Sequence, residues 1–555
     1  MSEPAAPSRY FWLWHLAALK VIEADFGPLP EHVPAESETA LRLHASPPIQ
    51  YTVWDQIPQA GTIFAHAALI DTGVSRAHPN LASRIDAERS IDLTSHRYGA
   101  QTEAILSASK PYSREERRSF FFDLDISTLP LTDLEVHEAE YLESMVAEYR
   151  GSKGVVRRMI DAEETFATHG TACAGLIVGE PAVIGEDGKV VPPEQLTAKA
   201  TINRNANLLP YFGVDPFSKL VSIRTSFEAD PHQYIAAFLY AWACKVDVIV
   251  MPRGLPDPIR APLLPKNDLK AELESWRTRN AADLYARIGT NADPAPKDAN
   301  TAQSGHLPDR PWKILRQLIL AISKEIPIVC AAGNDGESQL IYPASLADDD
   351  NGIIAVGAVT AEGFRSGYSN YGDGLTVVGP SDDYEVYNRH QSRLDQSDPL
   401  IAMHDYSVGA GRMFAFCPLD LVTTDLPGVF GYDSGAAPWS SVMPGQGSTG
   451  VGGGYYTAFG GTSGASSLLG GLALLAQRAR LASGKPRLKG TDLKALLQAT
   501  SSTATVVAPG FRPLSCDTMN ADDEHQLGVD YFFGAGLPDA AKFVESVVRA
   551  ETDHS

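Results

Sequence analysis

Short, nearly continuous apolar runs alternate with amphipathic stretches along most of the chain. The runs at 63–70, 220–224, 246–251, 326–331 and 353–359 are rich in Val, Ile, Leu and Ala. They lack the in–out alternation of a half-exposed strand, so they predict strands covered on both faces. Helical periodicity separates them at 233–244, where Ile235, Phe238, Leu239 and Trp242 share a face, and again at 312–324 and 466–481. Strand followed by helix followed by strand predicts an α/β protein whose parallel sheet is joined by right-handed crossovers.

Four blocks fit this rhythm poorly and read as insertions, at about 84–165, 180–215, 255–311 and 380–450. The first holds an Arg/Glu-rich turn at 113–118. An amphipathic helix then runs over 132–150, with Leu134, Tyr141, Leu142, Met145 and Tyr149 along one side. The third begins Pro-rich and carries a charged helix around 269–288; the fourth is polar and aromatic without clear period. Segments this long in a compact domain are expected to carry structure or function of their own.

Composition narrows the function classes. The chain has 555 residues, 44% apolar and 21% charged, which is ordinary for a globular protein, and a formal net charge of −22. Such acidity disfavours sequence-independent nucleic-acid binding and docking on an anionic membrane. Five cysteines without CxxC or paired spacing read as reduced thiols. The apolar patch at 10–19 is interrupted by His15 and is too short to span a bilayer, and no secretory signal precedes it. These features predict a soluble, cytoplasmic protein with an N-terminal extension at 1–50, a main domain at 51–548 and a tail at 549–555.

Four small-residue motifs carry chemistry. Asp71 ends an apolar strand before Thr72-Gly73, which puts a carboxylate at the crevice end of a parallel sheet. His169, in Thr168-His-Gly-Thr171, opens a helix of small residues that can pack tightly on the sheet. Ser463, in Gly460-Gly-Thr-Ser-Gly-Ala465, sits at the mouth of an apolar helix whose free N–H groups suit developing negative charge. Asn334 leaves a strand in Ala331-Ala-Gly-Asn334, where its amide has the donor an oxyanion needs. Taken singly, each has a plainer explanation: a structural turn, a capping histidine, an N-cap serine, a turn-forming asparagine. The G-x-G-x-x-G at 445–450 precedes no βαβ unit, and no HExxH or His/Cys cluster suggests zinc.

In this order and context, Asp71, His169, Asn334 and Ser463 resemble the subtilisin-like serine peptidases, the subtilases. His78-Pro-Asn-Leu81, Val248-Ile-Val-Met-Pro-Arg-Gly254, Ile354-Ala-Val-Gly-Ala-Val359, Tyr368-Ser-Asn-Tyr-Gly372 and Tyr531-Phe-Phe-Gly-Ala-Gly-Leu537 extend the likeness. The resemblance implies a three-layer fold, with a mostly parallel central sheet, helices on both faces and several long insertions. It further implies a serine endopeptidase with Ser463 as nucleophile, His169 as general base and acid, Asp71 orienting the imidazole, and Asn334 in the oxyanion hole. Extended substrate would pair with Met251, Pro252, Arg253 and Gly254. Ala331, Ala332 and Gly333 would wall a first specificity pocket, expected to be open and apolar at its mouth. Arg253 would meet acidic side chains of the substrate or an acid of the 255–311 block. No cofactor is required; structural calcium, common in the family, has no locatable site and its ligands are unknown. The partners implied are a protein or peptide substrate and a regulatory partner on the insertions, with no nucleic acid and no membrane.

The departures from the family pattern are specific. Ser467 stands where the serine motif usually has proline, the chain between Asp71 and His169 is unusually long, and Pro252 offers no N–H to an extended peptide. No cleaved inhibitory propeptide is expected, and restraint would then fall to the 84–165 block. The competing function is a regulatory or binding module on a retained peptidase scaffold, and an esterase or ligase using the same acyl-enzyme is a third reading.

Overall fold

Every chemistry-bearing motif sits along one rim of an eight-stranded sheet. The computed structural model describes residues 11–23, 53–57, 64–76, 78–93, 128–131, 136–150, 157–158, 167–184, 190–191, 208, 211–225, 231–255, 310–361, 363–382, 420–426, 431–432, 454–505 and 528–551. In chain order the sheet strands are β1 (His66–Asp71), β2 (Ile91–Asp92), β3 (Arg157–Arg158), β4 (Lys219–Arg224), β5 (Val248–Met251), β6 (Ile328–Ala331), β7 (Ile353–Val359) and β8 (Val377–Pro380). Their spatial order is β8-β7-β6-β5-β1-β4-β2-β3. All neighbours run parallel except the short β2–β3 edge pair. A separate antiparallel hairpin joins β9 (Leu421–Thr424) to β10 (Tyr456–Phe459).

The helices are α1 (Val136–Arg150), α2 (Thr168–Val178), α3 (Pro231–Ala243), α4 (Arg310–Glu325), α5 (Gly461–Ala482), α6 (Gly490–Ala499) and α7 (Ala540–Arg549). Strand side chains alternate between two cores, as the two-residue repeat demands. Leu69, Val248, Val250, Val329, Ile354 and Val356 join α2, α5, α6 and α7 on one face. Ile70, Ile223, Ile249, Met251, Ile328 and Ala355 join α1, α3 and α4 on the other. The result is the three-layer α/β arrangement. Gly470 lets α5 lie directly on β5: a Cβ there would fall 2.5 Å from Val250 Cγ2.

The chain crosses from β4 back over β1 to β5, so the strand order reverses beside β1. Crevices at such reversals, outside the carboxyl ends of the strands, are where open α/β sheets bind ligands. Asp71 ends β1, Met251 ends β5 and Ala331 ends β6, all at that rim.

Two features depart from the sequence reading. Residues 12–22, placed there in an extension, lie in the first core: Trp12, Leu13, Leu16, Leu19 and Val21 are buried. Their backbone meets the main domain through Val53 N–H to Val21 O and Ala540 N–H to Leu19 O. Residues 421–424, placed there in the 380–450 block, form β9 against α2. The helix read at 132–150 is observed as Val136–Arg150, while the turn at 113–118 and the helix at 269–288 lie outside the described residues. No described helix is long and apolar enough to cross a membrane.

Candidate active site

Asp71 is fully buried at the end of β1, and its carboxylate is held from several sides. Thr72 donates to Asp71 Oδ1 through its backbone N–H at 2.6 Å and its hydroxyl at 3.1 Å. His169, in the first turn of α2, brings Nδ1 within 2.9 Å of Oδ2 and 3.0 Å of Oδ1. Burial alone would raise the acid's pKa. The His169 charge and hydrogen bond, the Arg253 guanidinium and the Thr72 N–H reverse this and hold it below the usual carboxylate value. Burial would likewise depress the imidazole. The Asp71 carboxylate, with the Cys173 sulfur beside it, carries His169 well above the ordinary histidine value. With Nδ1 committed to Asp71, Nε2 is the nitrogen left to exchange a proton.

Helix α2 is itself clamped. Thr423 and Thr424 of β9 donate their hydroxyls to Ala172 O and Thr171 O, each at 2.7 Å, and Thr171 Oγ1 accepts from Ser75 N–H at 2.9 Å. One turn beyond the histidine, Cys173 Sγ lies 3.8 Å from His169 Nδ1. Helix α2 packs against α5, in whose first turn Ser463 sits half-buried. Ser467 Oγ donates to Ser463 O at 2.8 Å. The hydroxyl that replaces proline at 467 thus bonds within the first turns of α5.

The start of α5 sorts its free N–H groups one by one. Gly461, at φ +71°, donates to Asp382 Oδ1 at 3.2 Å, and Thr462 donates to Asn334 Oδ1 at 2.8 Å. The Ser463 N–H has no partner among the described residues, and it is the third orphan donor of the helix. Thr462 Oγ1 also donates to Asn334 Oδ1 at 2.8 Å and accepts from Gly333 N–H at 3.1 Å. Two donors on Oδ1 fix which end of the Asn334 amide is oxygen. Nδ2 is therefore the free end, and Asn334 is exposed on the loop after β6.

The expected peptide-binding strands are adjacent: Met251 lies opposite Cys330 where β5 pairs with β6. Their side chains are not all turned to the cleft. Met251 and Ala332 belong to the second core. Residues 256–309, in the block that offered one expected partner of Arg253, lie outside the described residues. Arg253 itself is 4% exposed and points inward, away from the expected contact with substrate. Its Nη2 donates to Thr225 Oγ1 at 2.5 Å and to the Tyr234 hydroxyl, its plane lies 5.4 Å from the Tyr234 ring, and its charge acts on Asp71. Ile341 lies between the strand ends: a Cβ on Gly254 would fall 2.5 Å from Ile341 Cδ1, and one on Gly333 would fall 2.7 Å from Ile341 Cγ2.

A buried acid paired to the outer nitrogen of a histidine, a serine at a helix mouth and a free amide donor are the parts of a serine acyl-transfer site. The profile of the subtilase family matches residues 66–536. The chain belongs to the subtilase family. Among curated relatives, the cell wall-associated protease of Bacillus subtilis (strain 168) is 33% identical over 91 residues, covering 16% of this chain and 10% of that protein. Subtilisin BL of Lederbergia lenta is 40% identical over 60 residues, covering 11% of this chain and 21% of its own. The chain thus matches about a fifth or less of the length of these relatives. Among solved structures, the epidermin leader peptide processing serine protease EpiP of Staphylococcus aureus aligns over 90% of this chain and 78% of its own. Its identity is 16% and its TM-score 0.42. The prenylagaramide maturation protease PagA aligns over 89% and 96%, with 14% identity and a TM-score of 0.38.

Several residues of this subtilase site escaped the sequence reading. Asp382 is buried beneath the serine turn and also accepts from the Tyr368 hydroxyl at 2.8 Å. It falls at the start of a block read as insertion, and no local pattern marks it. Cys173 was read only as a buried thiol, although its place one turn after His169 puts it on the same helix face. Among the described residues, the cluster that gathers three metal-type ligand atoms within 4.8 Å is Asp71, His169 and Cys173. That set is the acid–base pair with a thiol, not the oxygen cage calcium takes.

Proposed function

We propose that this subtilase is a serine endopeptidase acting through an acyl-enzyme. The observation that carries the reading is the 2.9 Å contact between Asp71 Oδ2 and His169 Nδ1, on a helix packed against the one whose first turn carries Ser463. Ser463 Oγ attacks the scissile carbonyl as His169 Nε2 takes its proton. Asp71 stabilises the imidazolium, which then protonates the leaving amine. Water repeats the sequence on the acyl-enzyme. The oxyanion is received by the Ser463 N–H and Asn334 Nδ2, the two donors the α5 network leaves free. These groups complete the chemistry without an organic cofactor. The substrate class is peptide or protein, and the insertions are the surface on which a regulatory partner would act.

A fluorophosphonate probe tests the reading. One label per chain on Ser463, together with amide-bond hydrolysis that Ser463→Ala abolishes, is the expected result. His169→Ala should be nearly as severe, with little further loss in the double variant, because the two act as a unit. A properly folded protein that neither labels nor hydrolyses peptides would instead be a binding module on a peptidase scaffold. Ester hydrolysis without amide hydrolysis would point to the esterase reading.

A further inference from the structure

Ile341 spans the gap between the ends of β5 and β6, and Asn370 Nδ2 crowds the Gly333 side beside it. Ile341 touches both walls: its Cδ1, Cγ1 and Cβ lie 2.5, 3.1 and 3.3 Å from where a Gly254 Cβ would stand. Its other branch, Cγ2, lies 2.7 Å from the corresponding position on Gly333. The two glycines and the branched side chain are thus fitted to one another, each wall lacking a side chain where Ile341 stands.

The segment carrying Ile341 is tied at several points. Ile341 N–H donates to Ala332 O at 2.9 Å, Leu255 N–H donates to Tyr342 O at 2.7 Å, and Ser345 N–H donates to Ile341 O at 2.8 Å. Tyr342 beside it is buried, with its ring 6.3 Å from that of Trp312 in an edge contact. A β-branched side chain has little χ1 freedom with which to swing aside. Ile341 itself remains half-buried, so the filled space is neither sealed core nor open cleft.

Resting on the endopeptidase reading above, we propose that Ile341 is the floor of the pocket for the residue on the acyl side of the scissile bond. It restricts cleavage to bonds that follow Gly, Ala or Ser. That residue's carbonyl lies between Ser463 and Asn334 during attack, so its side chain enters between Gly254 and Gly333. There it meets the Ile341 methyls. A methyl or hydroxymethyl group fits above them; a Leu or Phe side chain needs the volume they occupy.

The test uses the full chain and peptides that differ only in the acyl-side residue, Ala against Phe, as amide substrates and as diphenyl phosphonate inhibitors. A plain fluorophosphonate, which carries no such side chain, is run beside them. Wild type is expected to favour Ala over Phe by about 100-fold in kcat/KM and in the rate of phosphonylation, on the scale of steric discrimination in apolar pockets. Ile341→Ala should raise the Phe-to-Ala ratio by tenfold or more. Ile341→Val, which removes only the Cδ1 carbon, should fall between and covers the case in which the alanine variant folds poorly. Fluorophosphonate titration fixes the active fraction of each preparation. Equal rates for Ala and Phe in labelled wild type, or an unchanged ratio in both variants, would overturn the pocket assignment alone. No fluorophosphonate label on folded protein would overturn the endopeptidase reading first, and this inference with it.

Discussion

His169 and Asp71 are chemically one unit, and their coupling sets the pH at which the site works. The general base must be neutral, yet its partner carboxylate stabilises the protonated form and raises its pKa well above the usual histidine value. Activity should therefore rise with pH and reach half its limit above the ordinary histidine value of 6.5. A kcat/KM profile measures this midpoint. Asp71→Asn should lower the midpoint and also cost about 10⁴ in kcat, the penalty known for such a change in a serine protease. Asn334 acts at the opposite end of the reaction. If Nδ2 donates to the oxyanion, Asn334→Leu should lower kcat by about 10²–10³, a magnitude borrowed from a subtilisin, with little change in KM. A turn-forming role alone would lower the melting temperature and leave kcat per titrated site nearly unchanged.

At the scale of elements, the site depends on how α5 begins. Its sequence opens with glycines and small polar residues, which locally read as a turn, so periodicity places the helix start at 466 rather than Gly461. Donors and acceptors from remote parts of the chain supply what local propensity lacks: Asn334 caps Thr462, and Asp382 caps Gly461. Asp382→Ala should leave the buried Gly461 N–H short of an acceptor, costing about 1–3 kcal/mol, while the Tyr368 hydroxyl keeps Ser381 Oγ and the residue-382 carbonyl. The melting temperature should fall together with kcat, because the same bond fixes the turn that carries Ser463. Asp382→Asn retains an acceptor oxygen and should recover most of both. A fall in stability alone would detach Asp382 from the site. The contrast explains what was legible in the sequence. The apolar runs of β4 to β7 announce themselves because both faces are buried, and Asp71, His169, Asn334 and Ser463 stand in compact motifs. Asp382, Ile341 and the inward turn of Arg253 stayed hidden because each is defined by a partner far away in the chain. The Arg253 position is a case in point: the family resemblance implied a cleft residue, while Tyr234 on α3 and Thr225 after β4 draw the guanidinium inside.

The whole molecule is held together partly by histidines that must stay neutral. His15 lies in the N-terminal segment packed into the first core, fully buried, and neither ring nitrogen has a hydrogen-bond partner among the described residues. Burial lowers its pKa from 6.5 to about 3. His78 is also buried; its Nε2 meets Tyr455 O at 2.8 Å and its Nδ1 accepts from Asn80 N–H at 3.1 Å. Burial lowers it to about 4, against the weaker opposing pull of the Tyr455 carbonyl. Both folded pKa values lie below the unfolded one, so the unfolded chain binds protons more readily. The stability these residues contribute is present in full above pH 6.5. It declines as pH falls, until it is gone at about pH 4 for His78 and about pH 3 for His15. At pH 5 the loss is about 2 kcal/mol per histidine relative to pH 8, a large share of the 5–15 kcal/mol typical of a folded protein. Denaturant unfolding of the Ser463→Ala protein, which cannot digest itself, should therefore show stability dropping steeply between pH 6.5 and pH 5. His15→Leu keeps the volume and removes the titrating group. It should flatten this decline while leaving stability at pH 8 equal or higher, since two unpaired nitrogens leave the core. An unchanged slope in His15→Leu would mean that the N-terminal segment leaves the core before the rest of the fold opens, and the docking of residues 12–22 would then contribute little to global stability.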